Sequence, residues 1–239
     1  MAAMKCFIRF IDESERKNFN QSRCMFSISV GQQSHEGEFF SKTIDLINAN
    51  FKSCVMIVDD SLQRHTMALE HSQDADYFYN ISIREGDLWL ERNRTVFERL
   101  NSLEKVVRWD YWLKHKEFNA RKAIIESMIA TNAAYAEAFN VSIQDFVEKY
   151  RKRNNNINNA DIDRAKKLSY DFVLEECTAL CLWTELECNY EVYHGLHNEA
   201  MRMTKEIFIF PNRPNLLKAV TLGFRNYKQL ERQKFYCLE

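Results

Sequence analysis

The stretch CVMIVDD, residues 54–60, decides the fold. Five apolar residues in a row, closed by two carboxylates, read as a short strand buried on both faces. Strands of that kind belong to parallel sheets covered by helices on each side. Working outward, further β-branched and aromatic runs occur at Cys6–Ile11, Cys24–Val30, Tyr190–Tyr193 and Ile207–Phe210. Longer amphipathic stretches separate most of them, the alternation of a sheet crossed over by helices. An α/β fold with a mostly parallel sheet follows. Residues 85–129 hold one glycine, Gly86, and no proline, and the apolar positions Leu88, Leu90, Val96, Phe97, Leu100, Leu103, Val106 and Val107 suit long helices. KYRKRNNNINN, residues 149–159, reads as a loop because Asn favours turns over helix interiors. Helix restarts near Asp161, and Pro211 and Pro214 punctuate the end of the last expected strand. One α/β domain over residues 1–239 accommodates this pattern.

Composition narrows the chemistry. Only 5 of 239 residues are Gly and 2 are Pro, which excludes a glycine-rich phosphate loop. The 33 Lys and Arg balance 34 Asp and Glu, so a duplex-coating protein is disfavoured while a local cationic face stays open. Seven cysteines, none in a Cys-x-x-Cys spacing, together with a start lacking a signal-peptide core and no run of 18 apolar residues, read as a soluble cytoplasmic chain with reduced thiols.

The densest polar segment is FSISVGQQSHEGEFF, residues 26–40. Strand alternation puts Ser27 and Ser29 on one face, and Gly31 supplies the turn off the strand end, where open α/β sheets bind ligands. Ser29 therefore stands where a nucleophile is placed, although a serine satisfied by backbone fits the same position. His35, Glu36 and Glu38 lack His-Glu-x-x-His spacing and suit a loop or helix cap. Cys177, Cys181, Cys188, His194 and His197 lack the tight spacing of structural zinc sites and read as core, so no metal or other cofactor is expected. Basic residues cluster between Arg84 and Lys122 with interleaved acids, and the purer patch is Lys149, Arg151, Lys152 and Arg153.

These features together resemble the tRNA-dependent cyclodipeptide synthases. The family's catalytic serine sits in a motif like Ile-Ser-x-Gly-Asn, matched here by Ile28, Ser29, Val30, Gly31 and Gln32. A helical Tyr and Glu four residues apart are matched by Phe172 and Glu176 within DFVLEE, so a phenol is replaced by Phe172, with Tyr170 the nearby residue that could substitute. The third motif, Tyr followed by His or Pro at a strand end, resembles Tyr193-His194. Gln32 and His194 set the chain apart from the subfamilies with Asn and with Pro at those positions.

The resemblance implies a Rossmann-like three-layer fold similar to the catalytic domain of class I tyrosyl- and tryptophanyl-tRNA synthetases. Their His-Ile-Gly-His and Lys-Met-Ser-Lys-Ser type signatures are missing here, so two aminoacyl-tRNAs would serve as pre-activated substrates without ATP, metal or membrane, at a monomer or weak dimer. It further implies ping-pong chemistry through aminoacyl-Ser29 and a dipeptidyl-serine, the amine of the second aminoacyl-tRNA attacking the first ester before the dipeptide closes. Glu176 would hold the ammonium and Tyr193 would orient groups during cyclisation. Met25 and Ser27 would line the first side-chain pocket, with Gly31, Gln32, Phe172, Tyr170 and His194 around the substrate. The polarity near the site hints at a polar or charged amino acid. Arg84, Arg92, Arg94, Arg99 and Arg108 would contact the tRNA backbone. A serine acyltransferase or hydrolase with a small-molecule ester, and a non-enzymatic RNA-binding α/β protein, are the competing readings.

Overall fold

The computed structural model describes residues 4–10, 16–71, 73–154 and 158–225. Its strands are β1 (Lys5–Phe10), β2 (Arg23–Ile28), β3 (Ser53–Val58), β4 (Leu103–Arg108), β5 (Tyr190–Tyr193) and β6 (Lys218–Arg225). The helices are α1 (Gly37–Asn50), α2 (Arg64–Glu70), α3 (Tyr79–Arg92), α4 (Arg94–Phe97), α5 (Trp109–Leu113), α6 (Phe118–Thr131), α7 (Ala133–Arg153), α8 (Asn159–Leu182) and α9 (Glu199–Thr204). The sheet runs β1-β6-β5-β2-β3-β4, parallel throughout except for the antiparallel β1–β6 pair.

Alternation along the strands sorts side chains into two layers. Met25, Val55 and Ile57 join Trp109, Trp112, Tyr135, Phe139, Val173 and Leu180 on one face. Phe26, Ile28, Met56 and Val58 join Phe40, Ile44 and Trp89 on the other, beside α1 and α3. The sheet is thus sandwiched, as a Rossmann-like three-layer fold requires. From β2 the chain steps outward through β3 and β4, then returns to place β5 and β6 on the other side of β2. The reversal opens a crevice beyond the carboxyl ends of β2 and β5, the place where such sheets bind ligands.

Four local readings change. Leu103, Val106 and Val107 have helical i, i+3, i+4 spacing yet lie in β4; a bulge pairs Cys54 with Leu103 and Val55 with Lys105, so the extra residue shifts the strand's alternation. β6 has no counterpart among the expected strands. Ile207–Phe210 is not a strand: α9 continues into a π-helical turn, Lys205–Ile209, in which Lys205 is buried and donates to Leu217 O at 2.7 Å. Pro211 and Pro214 therefore follow a helical end. Finally, Lys149–Arg153 belongs to the last turns of α7, while residues 155–157 of the expected loop, like Ile11 of the first expected strand, lie outside the described residues.

α8 starts within two residues of the expected position because Asn158 and Asp161 form a reciprocal capping box. Its middle is buried around most of its circumference, which makes it the central helix of its layer. Gly86 of α3 is fixed by space: a Cβ there would sit 2.6 Å from Asp60 Cβ and 2.7 Å from Arg108 Nη2. Among the described residues no helix is long and apolar enough to cross a membrane, and no group of three or more His, Cys, Asp or Glu is arranged to hold a metal ion.

Candidate active site

Ser29 lies one residue past β2, at the mouth of the crevice. Its Oγ is 3.0 Å from Tyr193 Oη, at the end of the neighbouring β5. The parallel register favours that meeting: Met25 pairs with Glu191 and Phe26 with Val192, so two residues on, Ser27 stands level with Tyr193 on the same face, and Ser29 follows on that face just past the strand end. Gly31 adopts φ +82°, a conformation that a side chain would strain, and lets Gln32 N–H turn back to Ser29 O at 3.1 Å.

The serine's backbone is fixed from behind by a group the sequence reading left as a loop residue. Ser29 N–H donates to His35 Nδ1 at 2.9 Å. His35 is buried among Phe26, Tyr193 and His194, and burial pushes its pKa down to about 4, so it acts as a neutral acceptor. His194 is bonded through Nε2 to Thr43 Oγ1 at 2.8 Å and stacks on Phe224. His65 faces Glu175. Among the described residues no histidine is within hydrogen-bond distance of Ser29 Oγ, so the serine–histidine pair of a triad hydrolase is not assembled.

Glu176 reaches the same cavity from α8. Its Oε2 accepts from Asn198 Nδ2 at 2.8 Å, the Asn198 bond favouring the carboxylate while burial, joined by Glu191, pushes its pKa up to about 8. Burial also raises the Tyr193 phenol, against the opposing bond from Ser29, so the phenol stays protonated and can donate. The cavity occupies about 1470 Å³ and takes in Ser27, Ser29, Gly31, Gln32, Phe172, Glu176, Tyr193 and His194.

Two residues expected around the substrate lie elsewhere. Met25 is wholly buried in the core, since a strand rises roughly 3.3 Å per residue and two residues below Ser27 is already beneath the cavity floor. Tyr170 packs against Phe139, 6.2 Å between ring centroids, outside the cavity lining. It does not restore the phenol missing at Phe172, whose ring sits between Phe146 and His65.

The five arginines also divide. Arg92 pairs with Glu36 at 2.6 Å, Arg99 with Asp45, and Arg108 with Asp60 and Asp87. Arg84 and Arg94 are exposed without an ion-pair partner among the described residues. At the cavity itself the cations are Arg9, Lys149 and Arg153, the latter two from the patch noted in the sequence but not assigned to the site.

Sequence reading also missed Asp59, Glu191, Asn198 and Lys205, and weighed His197 only as a metal ligand or core residue. Glu191 was accessible to it, because strand alternation in YEVY places Glu191 on Tyr193's face. Asp59 was not, because its neighbourhood depends on β2 and β3 pairing in register, Ile28 against Val58.

No family model matches the chain and no curated protein matches it in sequence. Solved structures do. A cyclodipeptide synthase from Fluoribacter dumoffii is 38% identical, with TM-score 0.87, over 94% of this chain and 100% of that one. The cyclodipeptide synthase of Candidatus Glomeribacter gigasporarum, solved bound to Phe-tRNAPhe, shares the fold at TM-score 0.70 and 18% identity over 91% and 92% of the two chains. A Mycobacterium tuberculosis protein whose structure relates cyclodipeptide synthetases to type I tRNA synthetases superposes at TM-score 0.61 and 9% identity over 93% and 94%. With more than a third of its residues shared across the full length of the Fluoribacter enzyme, and a serine, tyrosine and glutamate converging at the switch point of the sheet, this chain belongs to the cyclodipeptide synthase family.

Proposed function

We propose that the protein, working as one α/β unit, condenses two aminoacyl groups delivered as tRNA esters into a cyclic dipeptide, with Ser29 as the nucleophile. The observation that carries the reading is the 3.0 Å approach of Ser29 Oγ to a protonated Tyr193 phenol, beside the half-buried Glu176 carboxyl. The tRNA-bound Glomeribacter relative supports the substrate class.

In the first step Ser29 Oγ bonds to the acyl carbon, the ester bond to the ribose breaks, and the leaving ribose oxygen takes up the serine proton. Tyr193 donates toward the oxygen that develops charge, and Glu176 holds the α-ammonium through a charge-assisted bond. The second step runs opposite to the sense the sequence reading assigned. For the dipeptide to stay on Ser29, the seryl-bound residue's α-ammonium gives a proton to Glu176, its amine bonds to the acyl carbon of the second tRNA ester, and the bond to the ribose breaks as the ribose oxygen takes up the amine's second proton; attack by the incoming amine would free Ser29 and leave the dipeptide on tRNA. The terminal amine of the dipeptidyl-serine then attacks the seryl ester, closing the six-membered ring and returning the proton to Ser29. Arg84, Arg94, Lys149 and Arg153 would take the backbone phosphates.

Incubation with charged tRNAs and mass spectrometry for diketopiperazines tests this. Wild type yields product and Ser29→Ala yields none. Equal product from both proteins refutes the serine mechanism.

A further inference from the structure

Resting on the assignment of Ser29 as the nucleophile, we propose that the pocket beside it selects an amino acid with a basic side chain for the seryl-bound position, and that Asp59 is the carboxyl group that receives it.

The pocket floor is built from one face of three adjacent strands. Ser27 and Ser29 come from β2 and its end, Asp59 from the end of β3, Glu191 and Tyr193 from β5, and all of them line the cavity. Asp59 is 6% exposed, and its Oδ1 has no hydrogen-bond partner among the described residues; Ser27 Oγ, at 3% exposure, has none either. Buried polar atoms are nearly always partnered in folded proteins, so these two orphaned oxygens on neighbouring strand ends of one cavity, whose lining also includes the unpartnered Trp183 Nε1, mark a place where a ligand completes the bonding.

Charge decides which ligand. Three carboxyl groups meet here: Asp59, Glu176 and Glu191. The two basic side chains in contact with these carboxyl groups are both committed to Glu191. Lys205 Nζ lies 2.6 Å from Glu191 Oε2 and donates to Leu217 O, while His197 Nε2 lies 2.8 Å from Glu191 Oε1. Against the cost of burial, those two partners hold Glu191 down to about 2. Glu176 is assigned to the substrate's α-ammonium. Asp59 is left with no cation within ion-pair distance among the described residues, and burial, reinforced by Glu176, Asp60 and Glu191, pushes its pKa well above the ordinary carboxylate range.

The pocket floor therefore holds a surplus of acceptors. An ammonium, guanidinium or imidazolium supplies both the donors and the charge. An acidic side chain on that floor would meet three carboxyl groups, with Lys205 and His197 already bonded to Glu191. An apolar side chain would leave Ser27 Oγ and Asp59 Oδ1 desolvated and unpaired. Leu62, Phe172 and Met201, also in the lining, offer apolar surface to the stem or ring of a basic side chain.

The test presents wild-type protein with each of the twenty aminoacyl-tRNAs separately and reads the mass of the seryl adduct, then identifies the diketopiperazines formed from mixtures. Adducts from lysyl-, arginyl- or histidyl-tRNA at least tenfold above those from leucyl-, phenylalanyl- or glutamyl-tRNA are expected. Asp59→Asn, folded by thermal unfolding, should lose at least tenfold of that loading, and Asp59→Leu should shift the preference toward apolar residues. Ser29 adducts formed only from apolar or acidic donors, or undiminished basic loading in folded Asp59→Asn, overturn the pocket assignment and leave the nucleophile standing. Absence of a Ser29 adduct with every donor overturns the nucleophile and the pocket assignment together.

Discussion

Two pairs of adjacent carboxyl groups, Asp59–Asp60 after β3 and Glu175–Glu176 in α8, share a division of labour. In each pair one member is enclosed by donors. Asp60 takes the Arg108 guanidinium and the N–H groups of Ser61 and Trp109; Glu175 takes Arg64, Trp109 Nε1 at 2.7 Å and His65. The other member faces the cavity with acceptor capacity to spare; among the described residues Asp59 has no cation within ion-pair distance and Glu176 has Asn198 as its hydrogen-bond partner. Glu175 is held down to about 2, its donors overcoming burial, while burial pushes Glu176 up to about 8. Two residues of the same type, about 100° apart on one helix, thus do opposite things. One locks α8 to α2 and α5, and the other waits for a ligand.

The largest effect that would break this contrast is on stability. Glu175→Ala leaves Arg64 buried beside a lost partner and should cost roughly 3–5 kcal/mol, read as a lowered denaturation midpoint. Glu176→Gln, nearly isosteric, should leave the fold intact yet lower kcat/KM about 100-fold, or about 2.7 kcal/mol of transition-state stabilisation. If Glu176→Gln unfolds the protein and Glu175→Ala does not, the division is wrong.

The same pair should show opposite pH slopes. Glu175's folded pKa lies below its ordinary 4.5, so its stabilising contribution is present above pH 4.5 and is lost as pH falls through about 2. Glu176's folded pKa lies above 4.5, so its ionisation costs stability as pH rises from 4.5 through about 8, with Asp59 and Glu191 nearby and Asn198 opposing. Chemical denaturation of Glu176→Gln should therefore show a gain over wild type at pH 8 that vanishes near pH 4. A constant difference across that range would remove Glu176 as the titrating group.

Smaller effects sharpen the boundary. His35→Phe keeps a ring against Phe26 and Tyr193 but removes the acceptor for Ser29 N–H, and about a tenfold fall in kcat with unchanged KM is expected, near the cost of one buried unsatisfied donor. Tyr170→Phe, outside the cavity, should change stability by no more than about 0.5 kcal/mol and leave turnover unaltered. A large loss of activity in that variant would place Tyr170 in the substrate site after all.

Legibility followed the range of the interaction. The buried run at 54–58, the turn after Ser29 and the cap of α8 are local, so residue types alone expose them. β4 escaped because a bulge gave its apolar residues helical spacing, and IFIF at 207–210 escaped because its apolar run, which reads as a strand, lies in the π-helical continuation of α9 that also holds Lys205 against Glu191 and Leu217. In the site, Ser29, Glu176 and Tyr193 were read through family motifs, whereas His35 looked like loop and Asp59 like the polar end of a strand.

By itself the sequence determined the class of the fold, the strand that carries Ser29 and the order of the three motif residues, because side-chain alternation, turn chemistry and capping act over a few residues. Only the tertiary structure decided which carboxyl groups are spent on arginines and which remain open. That choice depends on which elements pack together: β2 against β3 and β5, α8 against α2. A charge buried by such packing is either neutralised by a partner or left for a ligand, and residue spacing holds no record of the partner.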